Sequence, residues 1–283
     1  MPATRNYEAF RRDGYQLLPG LLPSDTLARL RGFFDRQLEP FPIANKALRD
    51  SPDGTVVTNI GGLLGWGDPA PLELLALPGL MAVAQAICGP DFVPIQEFAV
   101  IKHRGDANPV LWHQDMVNDR SAPALAMGIY LDDALPGEGA LRYVPGSQLS
   151  ADPICELAHR PAVEVPAQAG DVLIHDMMVA HSSEPMKGSR LRRVIYLELL
   201  STALALRYYS RAFVEQRQRL LFAARRHRRA TLPSAGCYKP RMKDPRPRDR
   251  KHPVDYVLAD VHASVVRPVP ANYCFERIAA DLG

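Results

Sequence analysis

In the stretch LWHQDMVND, residues 111 to 119, His113 and Asp115 flank a single residue. On a β-strand, side chains two apart project to the same side, so an imidazole and a carboxylate in this spacing can reach one ion. The pair alone leaves three readings open: a metal grip, a catalytic pair, or a polar surface turn, which the NDRSAP that follows would suit. A metal site needs a third ligand from elsewhere in the chain. The best candidate is His181 in GDVLIHDMMVAHSSEPMKGSRLRRVIYLELL, behind an apolar strand and a short turn that could hold a side chain rigidly at a barrel mouth. Two histidines and one carboxylate bind one face of a metal and leave its other positions open. That donor set suits non-haem iron(II), which must take up a co-substrate and dioxygen together. No thiolate is placed to draw the site towards zinc.

Basic residues follow the second histidine. Arg192 opens the strand RRVIYLELLS, where its guanidinium could take a distal carboxylate in fork geometry, and Ser183 could add a hydroxyl to the same carboxylate. A dicarboxylic 2-oxo acid would then chelate iron at one end and meet Arg192 at the other. Arg190 and Arg193 compete for this role, although Arg193 projects to the opposite face of the strand from Arg192. Gln96 and Lys102, on the strand before WHQD, are candidate substrate contacts if they face inward. Trp112 reads as core. His103, His159, His227, His252 and His262 have no comparable setting, and His175, in the strand just before His181, is separated from it by a turn and is not expected among the ligands.

These residues need a β scaffold, and the chain supplies one after a helical lead-in. YEAFRRDGYQLLPGLLPSDTLARLRGFFDRQL reads as helix, short strand and helix, with Ser24 as the cap of the second helix and Leu27, Leu30 and Phe34 at helical spacing. PLELLALPGLMAVAQAICG reads as a third helix interrupted at Pro78. From Val93 onward short strands follow one another: FVPIQEFAVIKH, ALAMGIYLDD, GALRYVPGS, AVEVPA, GDVLIHD and RRVIYLELLS. The pattern predicts a mainly β fold with flanking helices, a double-sheet jelly roll forming one domain. Its β core spans about 93–201, with amino-terminal helical support over 1–92 and a carboxy-terminal helix and loops over 202–283. A late helix is predicted from Leu204 to about Arg229, with the aromatics of RYYSRAF packed against it, and segments 40 to 70 and 231 to 275 are expected to be loops covering the pocket.

Composition narrows the class. Among 283 residues, 47% are hydrophobic, enough to bury a core without a disulfide scaffold. A net charge of +3 makes no demand for a nucleic-acid partner, and no run of about 18 apolar residues suggests a membrane span. The amino terminus lacks the apolar centre of a secretory signal. Four scattered cysteines, Cys88, Cys155, Cys237 and Cys274, indicate neither a zinc knuckle nor a disulfide framework, so a reduced, cytoplasmic compartment is expected. The arginine-rich RQRLLFAARRHRR, residues 217 to 229, reads as a solvated helical face, or as a docking site for an anionic group such as coenzyme A. Oligomeric state is left open.

Taken in order, these pieces resemble the phytanoyl-CoA dioxygenase (PhyH) family, over roughly residues 7 to 200. FRRDGYQLLPGLLPSDTLARLR is similar to the family's amino-terminal strand and helix, WHQD to its H-x-D, LDDALPGEGALRYVPGS to its acidic turn and proline-glycine-serine loop, and GDVLIHDMMVAHSS with Arg192 to its distal histidine and co-substrate arginine. Glu138-Gly139, Gln148 and Ser182 depart from the family's usual residues without removing a ligand. The resemblance implies a double-stranded β-helix (cupin-type jelly roll). It implies Fe(II), 2-oxoglutarate and O2 as cofactors, with His113, Asp115 and His181 as metal ligands and Arg192 and Ser183 as co-substrate contacts. It further implies oxidation of a small-molecule C–H bond, with succinate and CO2 released, in a biosynthetic or catabolic setting. Related halogenating enzymes lack the carboxylate corresponding to Asp115, so its presence favours hydroxylation, desaturation or cyclisation. Two alternatives stand beside this: a cupin-type protein that binds metal or a small ligand without catalysis, and a hydroxylase of acyl-CoA thioesters.

Overall fold

Helix α1 (Glu8–Asp13) ends at Gly14, whose left-handed φ of 88° turns the chain into strand β1 (Tyr15–Leu18). Helix α2 (Ser24–Gln37) follows, with Leu30, Phe33 and Phe34 fully buried. Each such side chain contributes roughly 1.5–3 kcal/mol through burial. Ser24 does not cap it. The cap position falls on Pro23, and the Asp25 carboxylate accepts from the Thr26 backbone N–H at 2.7 Å instead.

The computed structural model describes residues 6–38, 46–51, 54–66, 68–103, 109–118, 120–186, 191–242, 252–262 and 272–275. After α2 come β2 (Lys46–Ser51), β3 (Gly54–Gly61), α3 (Ala70–Glu73) and α4 (Pro78–Cys88), the last starting on its proline where the missing N–H costs nothing. Then follow β4 (Phe92–Lys102), β5 (Val110–Gln114), β6 (Ala124–Tyr130), β7 (Leu141–Tyr143), α5 (Ile154–Leu157), β8 (Val163–Val165), β9 (Val172–Asp176), β10 (His181–Ser183) and β11 (Arg192–Ser201). The chain closes with α6 (Thr202–Tyr208), α7 (Arg211–Thr231), α8 (Val254–His262) and β12 (Asn272–Tyr273).

Among the described residues the strands form a seven-stranded sheet, β1-β9-β6-β11-β4-β3-β2, and a five-stranded sheet, β12-β5-β10-β7-β8. Every pairing is antiparallel, and the two sheets make the double-stranded β-helix. The outer face of the large sheet, with Ile129, Ile174, Ile195 and Leu197, joins the helices in the main core. Its inner face, with Tyr130, Leu173, Val194 and Tyr196, packs towards Leu141 and Tyr143 of the small sheet. Alternation along β11 therefore sends even-numbered side chains from Arg192 to Glu198 inside and odd-numbered ones out.

Four expectations need correction here. Residues 46–51 and 54–61 are not a covering loop but the antiparallel pair β2–β3, which extends the large sheet through β3 against β4. Residues 231–275 likewise contain α8 and β12. The late helix is two helices, because the Ser210 hydroxyl accepts from the Phe213 N–H and starts α7 afresh. Finally, Cys155 and Cys274 are joined by a disulfide with their Cα atoms 4.9 Å apart, while Cys88 and Cys237 are free thiols.

The arginines of α7 are not a bare solvated face. Arg217 is buried against Glu97 and the Pro94 carbonyl, Arg228 donates to the Gly236 carbonyl, and Arg219 pairs with Asp260. No single helix among the described residues is long and apolar enough to cross a membrane; the bent apolar pair Ala70–Ala76 and Pro78–Cys88 is core.

Candidate active site

His113 on β5 and His181 on β10 are direct partners across an antiparallel pair, and their ring centroids lie 4.0 Å apart. Asp115 follows β5, and its Oδ1 stands 3.2 Å from His113 Nε2 and 3.7 Å from His181 Nε2. Donor atoms of all three residues fall within 4.8 Å of one another. A divalent first-row ion with bonds of about 2.1 Å has neighbouring donors about 3 Å apart, so the three fit one face of such an ion.

The protonation states suit a metal. His113 Nδ1 lies 2.8 Å from the Leu111 carbonyl, and His181 Nδ1 lies 3.0 Å from the Val179 carbonyl. A proton on each Nδ1 leaves both Nε2 lone pairs directed at the site. Burial, aided by neighbouring His113 and His175 and opposed by Asp115, brings the His181 pKa down to about 3, so it stands neutral. Burial would raise Asp115, but the surrounding imidazoles, His181 first and then His113 and His175, hold it well below the usual carboxylate range.

His175 is the residue that spacing did not find. It points inward from β9, fully buried, with Nε2 3.0 Å from Asp115 Oδ2 and Nδ1 3.1 Å from the Tyr143 hydroxyl. It is not a member of the donor group but orients the carboxylate that is. The only hint in the sequence is a polar residue within an apolar strand, VLIHD. Tyr273 of β12 was also missed; its ring stacks on His113 at 4.9 Å and 10°. The disulfide fastens the segment that carries it, because α5 holds Cys155.

A second polar cluster lies on the same interior. Arg192 is 1% exposed, pairs in register with Lys102, and gives Nη1 to the Gly139 carbonyl. Its Nε, the Ser183 hydroxyl and the Tyr130 hydroxyl are buried without a hydrogen-bond partner among the described residues. Buried donors are nearly always satisfied, so these three unpartnered groups could serve an anion with several acceptors. Gly139, at φ +81°, is needed here: a Cβ would come within 2.9 Å of Met186 Sδ and 3.2 Å of Arg192 Nη1. Arg193, as alternation requires, points outward to Asp132 and Asp35, and Arg190 lies outside the described residues.

The remaining candidates separate. Lys102 stands beside Arg192, its Nζ donating to the Glu184 carbonyl at 2.5 Å. Gln96 is six residues further along β4, opposite Glu198 and in line with Ala126 and His175. Trp112 is buried in a satellite core, with the Arg142 guanidinium 5.4 Å over its ring. Gln148, where the family usually differs, donates to the Arg11 and Arg12 carbonyls and so ties down the end of α1.

A double-stranded β-helix enclosing a His-Asp-His face and a buried guanidinium defines an Fe(II)- and 2-oxoglutarate-dependent oxygenase. The family model for phytanoyl-CoA dioxygenase (PhyH) matches residues 10–194, and the chain belongs to that family. AviO1 from Streptomyces viridochromogenes Tue57 is similar at 31% identity and a TM-score of 0.63, over 69% of this chain and 93% of AviO1. EvdMO1 is similar at 32% identity and 0.63, over 69% of this chain and 49% of EvdMO1. EctD from S. alaskensis, solved with 2-oxoglutarate and 5-hydroxyectoine, shares the fold at 22% identity and 0.60, over 71% of this chain and 77% of EctD. No curated protein matches the chain. Iron, 2-oxoglutarate and dioxygen are thus the enzyme's cofactors.

Proposed function

We propose that His113, Asp115 and His181 hold Fe(II), that Arg192 and Ser183 hold the far carboxylate of 2-oxoglutarate, and that the reaction is hydroxylation of a substrate C–H bond. The convergence of the three donors carries this reading. Bound iron and 2-oxoglutarate supply the oxidant. The protein's own residues do the rest. His175 keeps the Asp115 carboxylate in place, and the Nδ1 bonds of the two ligand histidines fix their tautomers. Arg192, with the Ser183 and Tyr130 hydroxyls, offers donors to an anion in a site walled by Tyr196 and Tyr143. Tyr273, stacked on His113, covers the ligand from the side of β12.

The non-catalytic binding protein has less support, since it has no use for a buried carboxylate clamp. The acyl-CoA reading is weakened by α7, where Arg217, Arg219 and Arg228 are spent on internal partners. No nucleic-acid or membrane partner enters the proposal, and oligomeric state stays open. A cytoplasmic location is part of the proposal, and the Cys155–Cys274 disulfide stands against it, because such bonds are rare in reducing compartments.

The test is an anaerobic Fe(II) and 2-oxoglutarate titration followed by visible absorption, then a screen for substrate-stimulated succinate. The wild type should develop a metal-to-ligand charge-transfer band. H181A should show none, and R192M should need about 10–100 times more 2-oxoglutarate, the loss of a charge-assisted pair. A band of undiminished affinity in both variants would refute the site.

A further inference from the structure

Glu198 is a buried carboxyl with no role in the assignments above. It lies on the inner face of β11, 5% exposed, and no hydrogen bond or ion pair engages it among the described residues. Register places it in one row across the large sheet: His175 opposite Ala126, Ala126 opposite Glu198, Glu198 opposite Gln96. Directly opposed residues share a face, so this row lies on the inner face from which His175 reaches Asp115. Glu198 is six residues along β11 from Arg192, so it stands well away from the guanidinium. Electrostatics place it near the metal side: Asp115 acts on its titration, and it acts in turn on Tyr273, which stacks on His113, and on Tyr209.

Gln96 is its neighbour on the next strand, at a backbone spacing of about 5 Å, half-buried and also without a hydrogen bond among the described residues. A carboxyl beside a carboxamide, neither hydrogen-bonded among the described residues, lies on the same inner face as His175. An unpartnered buried polar group is destabilising unless something arrives to satisfy it.

The chemistry of the pair indicates what arrives. The charged groups that act on Glu198 are acidic, Asp115 and Glu97, and Glu97 already has Arg217. Glu198 is buried with no cationic partner among the described residues, and burial disfavours a carboxylate's charge, so the neutral acid is its favoured form. A neutral acid both donates and accepts, as does a carboxamide, whereas an ammonium only donates and would leave the acid O–H without an acceptor. Hydroxyl groups do both. We propose that Glu198, with Gln96 beside it, anchors the substrate, and that this substrate is an uncharged molecule bearing several hydroxyl groups. The proposal rests on the oxygenase site described above and adds its substrate class.

The test uses full-length protein loaded with Zn(II) and 2-oxoglutarate, so that no turnover occurs. Probes are methyl glycosides and cyclitols with their aminodeoxy counterparts, read by saturation-transfer NMR. At least one neutral polyol should bind the wild type, bind E198Q within about threefold, and bind E198L about tenfold or more weakly, the loss of one buried hydrogen-bonding group. Q96L tests the same pair from the other strand and should weaken the same probe. Polyol binding to both leucine variants that equals wild type would overturn the proposal, as would no polyol binding to wild type. Binding of only an aminodeoxy probe, lost in E198Q, would overturn it too and point to an ion pair. The Fe(II)·2-oxoglutarate band is recorded in parallel: if it is missing from wild type the oxygenase site itself falls, and if it forms while the polyols fail, only the substrate class falls.

Discussion

His175 Nε2 sits 3.0 Å from Asp115 Oδ2, on the oxygen opposite the one that faces His113 and His181. A carboxylate held from behind presents one oxygen to a metal in a fixed direction, and such supporting bonds are worth about 10–100-fold in metal affinity. H175A should therefore weaken Fe(II) or Co(II) binding by that factor, measured by anaerobic titration. H175Q, which keeps a donor, should recover part of it. A fall in thermal stability without a change in metal affinity would reduce His175 to a packing residue.

Glu97 and Arg217 form the ion pair that ties α7 to the outer face of β4, and both are almost wholly buried. Arg217 also donates to the Pro94 carbonyl at 2.8 Å. Removing one partner strands the other charge in the core, which costs roughly 3–5 kcal/mol. R217A should lose that much in denaturant unfolding. The double replacement Arg217→Met with Glu97→Leu should lose distinctly less, because neither charge is then left alone. Equal losses would mean that the guanidinium acts through Pro94 alone.

The donors were legible because each depends on local geometry. H-x-D on a strand sends two side chains to one side, and a histidine after a strand and tight turn opens the next strand, which here pairs directly with β5. Arg192 followed from the same alternation that turns Arg193 outward. His175 and Glu198 were not legible: their significance comes from the way two sheets oppose each other, which spacing along one strand does not encode. The β2–β3 pair was read as loop because KALRDS and GTVVTNIG lie at the sheet's edge, where partial burial leaves no clean alternation. The disulfide escaped for a similar reason. Cys155 and Cys274 are separated by 119 residues, and only the β12–β5 pairing brings them together.

That disulfide yields a thiol count. In denaturant without reductant, two thiols should react with a chromogenic disulfide, those of Cys88 and Cys237, and all four should react after reduction. A bond closing so long a loop contributes about 2–5 kcal/mol in the chain-entropy account. Because Cys274 adjoins Tyr273, C274S should also free the ring stacked on His113, shifting the His113 imidazole resonances in NMR. Four reactive thiols before reduction would remove the latch.

Asp176 gives the pH dependence of stability. It ends β9, where burial lifts its pKa to about 6, against the pull of the Met178 N–H, His175 and Arg120. A folded-state value above the unfolded one means that the native protein binds the extra proton between the two. Stability from this group is therefore complete below about pH 4, declines as pH rises towards 6, and is level above that, the full change being at most about 3 kcal/mol. Other carboxylates held below their usual range, such as Asp13 and Asp152, slope the opposite way, so the informative quantity is a difference. D176N keeps an acceptor for the Met178 N–H and cannot ionise. Unfolding curves of both proteins from pH 4 to 7 should show D176N gaining on the wild type as pH rises from about 4 to 6 and holding that gain above it. A constant difference across that range would mean that Asp176 is already ionised in the native state.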